Sequence, residues 1–275
     1  MPDGAGSGGR RLLGQGREAE IFEWDDGTVL RLLRSPGGSE HVKREAAAMR
    51  AAANAGVDVP AVHGTTTVDG RAGLIMGRVD GPDLITSMGR RPWTLFRAAR
   101  IVGSTQARLH DTVAPPELPS LREHTRSKIS AAADLPRELA EFALAELDAL
   151  PDGDRLCHGD LHPANVLLGR EGPAVIDWTN ATRGDPAGDV ARTRLLLRVG
   201  AVEEHMPALV LRLQAYGRGM FYRRYGRAYE NERPIDDDLV NRWEIVRAAD
   251  RFSEPIPEER PALLKMLEER ATGPA

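Results

Sequence analysis

His158-Gly159-Asp160-Leu161-His162-Pro163-Ala164-Asn165, followed downstream by Val175-Ile176-Asp177-Trp178, decides the reading of this chain. Asn165 stands five residues after Asp160, and Pro163 stiffens the loop between them. A tight loop of this kind places a carboxylate on one side and turns the amide back toward a neighbouring strand. Two extended runs follow, Asn165 to Leu168 and Ala174 to Asp177, joined by a Gly-rich turn, so Asp177 is expected to end the second strand. The three side chains offer only hard oxygen ligands, which suit a cation such as Mg²⁺. A lone Asp or Asn in a loop is ordinarily a turn former or a cap. The ordered set in front of a hairpin is a more specific pattern.

Transfer of a γ-phosphoryl group asks little covalent chemistry of a protein. It needs metal ions on the phosphates, a group that orients and deprotonates the acceptor hydroxyl, and a backbone cradle. Protein kinases supply the first two through an Asp, an Asn five residues on, and a second Asp after a short hairpin. Asp160, Asn165 and Asp177 have that spacing. Zinc is disfavoured for Cys157, His158 and His162, because their spacing does not provide a helical His pair.

Upstream, the first third reads as a small sheet interrupted by one helix. Strands are expected at Arg11 to Leu13, Ala19 to Trp24 and Thr28 to Leu33, with Asp25-Asp26-Gly27 as a hairpin turn. Ser39 is a candidate cap for a helix from Glu40 to Ala53. A second hairpin turns at Asp69-Gly70. Gly81-Pro82 marks the change to a helical body, with amphipathic spacing over Trp93 to His110 and helices over Arg122 to Ala132 and Pro136 to Leu150. Asp185-Pro186 reads as an N-cap followed by Pro at the first helical position. Trp243, Val246, Ala249 and Phe252 form an apolar helical stripe that reads as core. The expected organisation is a tail over 1–9, a nucleotide-binding lobe over 10–78 and a catalytic and acceptor-binding lobe over 79–275.

The two quoted runs resemble the signature of the aminoglycoside phosphotransferase (APH) family, which shares the kinase fold with choline, homoserine and fructosamine kinases. The similarity extends from about Leu12 to Arg251 and is strongest from Leu156 to Ala191. It implies an α+β, protein kinase-like two-lobed fold, with a small N-terminal antiparallel sheet plus helix and a larger, mainly helical C-terminal lobe. It implies Asp160 as catalytic base, Asn165 and Asp177 as Mg²⁺ ligands and His158 as a structural support. Gly14-Gln15-Gly16-Arg17-Glu18-Ala19 resembles a phosphate-covering loop, in which Gly14 and Gly16 let backbone amides approach phosphate oxygens. The family's third-strand lysine is replaced here by Arg31, whose matching glutamate is Glu45. Arginine keeps the charge but brings a bulkier planar fork. A hinge over Met76 to Val79 would turn the Gly77 carbonyl and the Val79 amide toward the adenine edge of ATP or GTP.

The resemblance implies an O-phosphotransferase acting on a hydroxyl of a small molecule such as an antibiotic, sugar or amino alcohol. Nothing in the sequence selects an aminoglycoside, so the family's resistance role does not transfer with it. Candidate carboxylates for a cationic acceptor are Glu203, Glu204, Glu230, Glu232, Asp236, Asp237 and Asp238, each equally readable as part of a solvated acidic loop. Asp189 reads as a buttress of the catalytic loop. The alternative is a catalytically silent nucleotide-binding module, to which Arg31 alone points. A protein kinase is disfavoured, since no Ala-Pro-Glu segment follows Asp177.

Bulk properties narrow the partners. The net charge is −4 and no basic stripe is interleaved with aromatics, which argues against nucleic acid. Cys157 is the only cysteine, consistent with a reducing cytoplasm. No apolar run is long enough to span a bilayer, and Met1 to Gly9 lacks the apolar segment of a signal peptide. These features lead to the expectation of a cytoplasmic enzyme without membrane partners.

Overall fold

A computed structural model describes residues 9–199 and 208–272. The tail expected over 1–9 lies, Gly9 excepted, outside the described residues, as do Glu203 and Glu204. The chain opens with β1 (Leu12–Gln15), β2 (Ala19–Glu23) and β3 (Thr28–Leu33), passes through α1 (Ser39–Asn54), and returns as β4 (Val62–Val68) and β5 (Arg71–Gly77). These strands form one antiparallel sheet in the order β1-β2-β3-β5-β4. Asp69 and Gly70 both adopt positive φ (52° and 74°), the backbone that a two-residue Asp-Gly hairpin requires.

The period-two alternation of β3 divides its side chains between two faces. Leu30 and Leu32 pack with Phe22 on one face. Leu33 joins Val42, Ala46 and Met49 of α1 on the other. Arg31 shares the face of Leu33 and therefore meets α1. Ser39 does not cap that helix. It is the first helical residue, and Gly38, at φ 81°, holds the cap position without a side-chain bond. The consecutive positive-φ glycines Gly37 and Gly38 turn the chain into the helix, so a side-chain cap is not needed to set its start.

The segment after β5 crosses to the helical body at Gly81. A Cβ there would lie 1.9 Å from the Leu168 carbonyl oxygen, so only glycine permits the crossing. The body comprises α2 (Leu84–Arg90), α3 (Leu95–Asp111), α4 (Leu121–Ala131), α5 (Arg137–Ala149), α6 (Pro186–Val199), α7 (Ala208–Glu230), α8 (Asp237–Arg251) and α9 (Arg260–Thr272). Helix α2, capped by Asp83 onto the Thr86 amide at 2.8 Å, was not expected from the sequence. Its seven residues are too few to show a helical period. Helix α3 begins two residues later than expected, after a single 3₁₀ turn at Pro92–Thr94. Asp185 accepts from the Ala187 amide at 2.7 Å at the start of α6, as its cap reading required.

Short strands are set into this body: β6 (Arg155–Cys157) pairs with β9 (Thr182–Gly184), and β7 (Val166–Leu168) with β8 (Pro173–Val175). One apolar cluster runs from Val42 and Leu74 through Val102, Leu161 and Trp178. A second joins Leu121, Ile129, Leu147, Val246 and Trp243. The fold is therefore the α+β, two-lobed arrangement expected, and the cleft lies where the sheet faces the β7–β8 hairpin.

Candidate active site

Strand β6 delivers the chain into the loop His158–Pro163, and Asp189 on α6 fixes that loop. The Asp189 carboxylate accepts from the Gly159 amide at 2.7 Å, the His158 amide at 3.2 Å and Gln106 Nε2 at 2.9 Å. It lies 3.1 Å from His110 Nε2, and His110 Nδ1 is 2.7 Å from the Tyr229 hydroxyl. Burial pushes this carboxyl up, but bonds from His110 and Gln106 more than offset that and hold it well below the usual carboxylate range. Asp189 is thus the buttress anticipated from the sequence. Gly159 has φ 79°, and a Cβ on it would sit 2.2 Å from the Asn180 carbonyl oxygen.

His158 is fully buried against Trp178, with ring centroids 4.7 Å apart. Its Nε2 lies 3.1 Å from the Ile176 carbonyl, and its Nδ1 accepts from the Asp160 amide at 3.3 Å. Burial lowers its pKa, so the neutral ring donates from Nε2 and accepts at Nδ1. It links the loop to β8 and does not line the cleft.

The Asp160 side chain is 21% exposed. Its Oδ1 lies 3.3 Å from Arg192 Nη2 and its Oδ2 3.6 Å from His162 Nε2. Burial would raise this carboxyl, yet His162 and the Arg192 charge hold it well below the usual range. His162 faces the cleft beside Asp160, while its Nδ1 accepts from the Ala164 amide at 3.2 Å. The Asn165 amide nitrogen donates to the Asp160 carbonyl at 2.9 Å, which leaves its oxygen as the free acceptor.

Asp177 lies two residues beyond β8 and does not end the strand as expected. It adopts φ 62°, a left-handed backbone that Asp tolerates better than most residues and that no extended strand can continue. Its side chain is 49% exposed. Its Oδ1 accepts from the Thr179 hydroxyl at 2.7 Å. Arg31 joins the two lobes here: Nη1 donates to Glu45 at 3.0 Å and Nη2 to Thr179 at 2.7 Å, with Asp177 Oδ1 at 3.9 Å. Arg31 is 7% and Glu45 3% exposed, so the pair is buried. Burial pushes the Glu45 carboxyl up to about 7 even beside that guanidinium.

These groups face one cleft of about 1040 Å³, opposite the Gly14–Ala19 segment and the chain at Gly77 to Asp80. Leu13, Ile21, Val29, Met76, Leu167 and Ile176 give it apolar walls. A Cβ on Gly14 would meet nothing within 4 Å, so this segment leaves open space toward the cleft. The Gly16 amide is already bonded to the Ala19 carbonyl at 2.8 Å. At the hinge, the Gly77 amide bonds Ala61 and the Arg78 amide bonds Gly27, whereas the Val79 amide has no protein partner among the described residues. The donor set on the opposite wall, one half-exposed carboxylate and one amide oxygen beside it, fits a hard divalent cation.

Among the described residues, the acidic candidates for the acceptor side, Glu230, Glu232 and Asp236 to Asp238, are not brought to this cleft. Glu232 pairs with Arg108 at 3.6 Å, Asp237 with Arg194 at 2.8 Å, and Asp236 caps α8. The acidic side chains that do line it include Asp80, Asp83 and Glu254, with Arg251 beside the last. Sequence reading missed Thr179, Arg192 and Glu254. For Thr179 and Arg192, closeness to Asp177 and Asp189 was the only signal.

The sequence profile of the phosphotransferase enzyme family (APH) matches residues 10–257. The chain belongs to this family. No curated protein sequence matches it. Among solved structures, the phosphotransferase fold recurs in amicoumacin kinase hAmiN bound to AMP-PNP, Ca²⁺ and Ami, at 15% identity and TM-score 0.64, covering 94% of this chain and 87% of that one. A thermostable mutant of aminoglycoside phosphotransferase APH(4)-Ia matches at 17% identity and TM-score 0.64, covering 96% and 95%. The kanamycin and GDP complex of APH(2″)-IIIa matches at 18% identity and TM-score 0.61, covering 97% and 94%. At these identities the likeness establishes the phosphotransferase fold.

Proposed function

We propose that this chain transfers the γ-phosphoryl group of a nucleoside triphosphate to a hydroxyl of a small molecule. The observation that carries this reading is the meeting of Asp160, Asn165 and Asp177 on one cleft, opposite a glycine-bearing segment and beside the buried Arg31–Glu45 pair. The nucleotide lies between the apolar walls, with its base against the free Val79 amide and the Gly77 carbonyl. Its phosphates run beneath Gly14 and Gly16 toward Arg31. Bound magnesium would neutralise phosphate charge, and Asn165 Oδ1 and the Asp177 carboxylate would hold it.

Asp160 orients the acceptor hydroxyl. Held well below the usual range, it stays ionised throughout the working pH range and is a weak base. In a loose transition state the hydroxyl becomes acidic late, so an orienting acceptor of this kind suffices. The lobe boundary falls at residues 78–79, where the sheet ends and the chain turns toward Gly81. The fold relatives bound to AMP-PNP or GDP support a nucleotide co-substrate of either base, ATP or GTP. The acceptor is a hydroxylated metabolite or antibiotic. The silent-module alternative rested on Arg31, and the Arg31–Glu45 bond supports the active reading over it. No helix among the described residues is long and apolar enough to cross a membrane. A cytoplasmic setting, where nucleoside triphosphates are at hand, fits this chemistry.

Calorimetry with ATP and GTP, with and without magnesium, tests the nucleotide half. ADP or GDP release across a panel of sugars, amino alcohols and antibiotics tests the transfer half. Magnesium-dependent binding and release with at least one acceptor are expected. Absence of magnesium-dependent binding removes the reading, and binding without release across the panel restores the silent module.

A further inference from the structure

Helix α6 touches the catalytic loop twice from one face. Asp189 holds the loop backbone, and Arg192, one turn later, reaches the Asp160 side chain. Arg192 is 2% exposed. Its Nη2 is shared between Asp160 Oδ1 at 3.3 Å and Glu254 Oε1 at 2.5 Å. Glu254 is held in turn by Lys128 Nζ at 3.3 Å and by Arg251. Glu254 and Arg251 both line the cleft, so the clamp on Asp160 is continuous with the cleft wall.

Neutralising the nearby Asp250, the strongest charge partner of Arg192, accounts for only part of this arginine's setting. Asp250 already accepts from Arg247 at 2.7 Å, whereas Arg192 Nη1 stands 3.6 Å from it and makes no hydrogen bond within the described residues. The bonded end of Arg192 is the one turned toward Asp160 and Glu254. Apart from Arg192, the nearest cation-forming group to the Asp160 carboxylate is His162, at 3.6 Å. Without Arg192 only His162 restrains that carboxylate, and only at its Oδ2. A planar guanidinium whose Nη2 is also held by a second carboxylate defines a direction that a single point charge does not.

We infer that Arg192, clamped by Glu254, is a positioning residue that holds the Asp160 carboxylate in the orientation that meets the acceptor hydroxyl. The inference rests on the assignment of Asp160 to the acceptor. Because Arg192 acts through Asp160, its effect falls on turnover and not on nucleotide binding.

The test is a double-mutant cycle on the full chain, Arg192→Met and Asp160→Asn, with Arg192→Lys and Glu254→Gln beside it. The readout is ADP release from Mg·ATP, with water and with the best acceptor of the panel. Arg192→Met should lower kcat about 100-fold with the KM for Mg·ATP within about threefold, and Arg192→Lys should recover about tenfold of that loss. Glu254→Gln should lower kcat about tenfold. Adding Arg192→Met to Asp160→Asn should cost nothing further, the signature of one residue acting through the other. Additive losses, or a fall in kcat matched by weaker nucleotide binding, overturn the inference. If Arg192→Met does not fold, the other two variants decide: wild-type kcat in both Arg192→Lys and Glu254→Gln overturns it. An impaired Asp160→Asn beside an unimpaired Arg192→Met sinks this inference alone. An Asp160→Asn variant with wild-type turnover sinks the reading of the site, and the inference with it.

Discussion

Two buried arginines serve two carboxylates of the cleft, Asp177 and Asp160, and they do so in opposite ways. Arg31 comes from the sheet and reaches across to Thr179, which donates to Asp177. Arg192 comes from the helix beside the catalytic loop and meets Asp160 from within the same lobe. Asp177 stays half exposed, whereas Asp160 is mostly enclosed and held well below the usual carboxylate range. The difference teaches that the Asp177 side of the cleft, the nucleotide side in the proposed function, is assembled between the lobes, while the Asp160 side, proposed to meet the acceptor, is built inside one. The first depends on how the lobes meet. The second is preorganised by packing that includes the buried α6–α8 contact.

The sharpest way to break this contrast is to remove each carboxylate in turn. Asp160→Ala should lower turnover roughly 10³-fold while Mg·nucleotide affinity changes less than about threefold. Steady-state kinetics and calorimetry on the same preparation check both numbers. A parallel loss of nucleotide affinity would place Asp160 on the nucleotide side and dissolve the division. Asp177→Ala should act the other way, weakening magnesium-dependent nucleotide binding about 10–100-fold, with little change in the magnesium-free titration.

The same contrast marks what the sequence disclosed. The loop residues were read from their spacing and the β3 arginine and α1 glutamate from the family resemblance, and the structure brings Asp160, Asn165, Asp177 and the bonded Arg31 to one cleft. The sheet was legible too, since Asp25-Asp26-Gly27 and Asp69-Gly70 announce their turns locally. Arg192 and Glu254 were not. Their partnership with Asp160 spans α6 and the end of α8, and no local pattern encodes a contact between residues so far apart. Thr179 was hidden for a related reason. Its role depends on the left-handed backbone at Asp177, which breaks β8 two residues earlier than its apolar run suggests. The acidic segment at Asp236 to Asp238 stayed open in the sequence because helix capping and pairing with Arg194 use the same residue type as cation recognition.

The pH dependence of stability sharpens the nucleotide side. Glu45 is raised from its ordinary 4.5 to about 7 by burial, so between those values the folded chain holds a proton that the unfolded chain releases. That contribution is fully present below about 4.5 and is lost as pH rises through about 7. It amounts to about 3 kcal/mol. Glu45→Gln should remove this slope, as read from denaturant midpoints between pH 5 and 8. A wild-type chain whose midpoint rises over this window would show that Arg31 stabilises the carboxylate more than burial penalises it.

The smallest effect decides what the bridge between lobes is for. Thr179→Val keeps the shape of the side chain but removes the hydroxyl that Arg31 and Asp177 share. Asp177 is half exposed, so water can replace its lost donor, and the ion pair with Arg31 at 3.9 Å persists. Arg31 is buried, and the freed end of its guanidinium has less recourse to water. The expected cost is therefore that of one hydrogen bond, about 1 kcal/mol in denaturant unfolding, with Mg·nucleotide affinity falling about fivefold. A loss of stability with no change in affinity would make the bridge a structural tie between lobes. A loss of affinity with stability intact would show that Thr179 serves only to aim Asp177 and Arg31 at the nucleotide, whereas loss of both together is the outcome that an interface assembled between lobes requires.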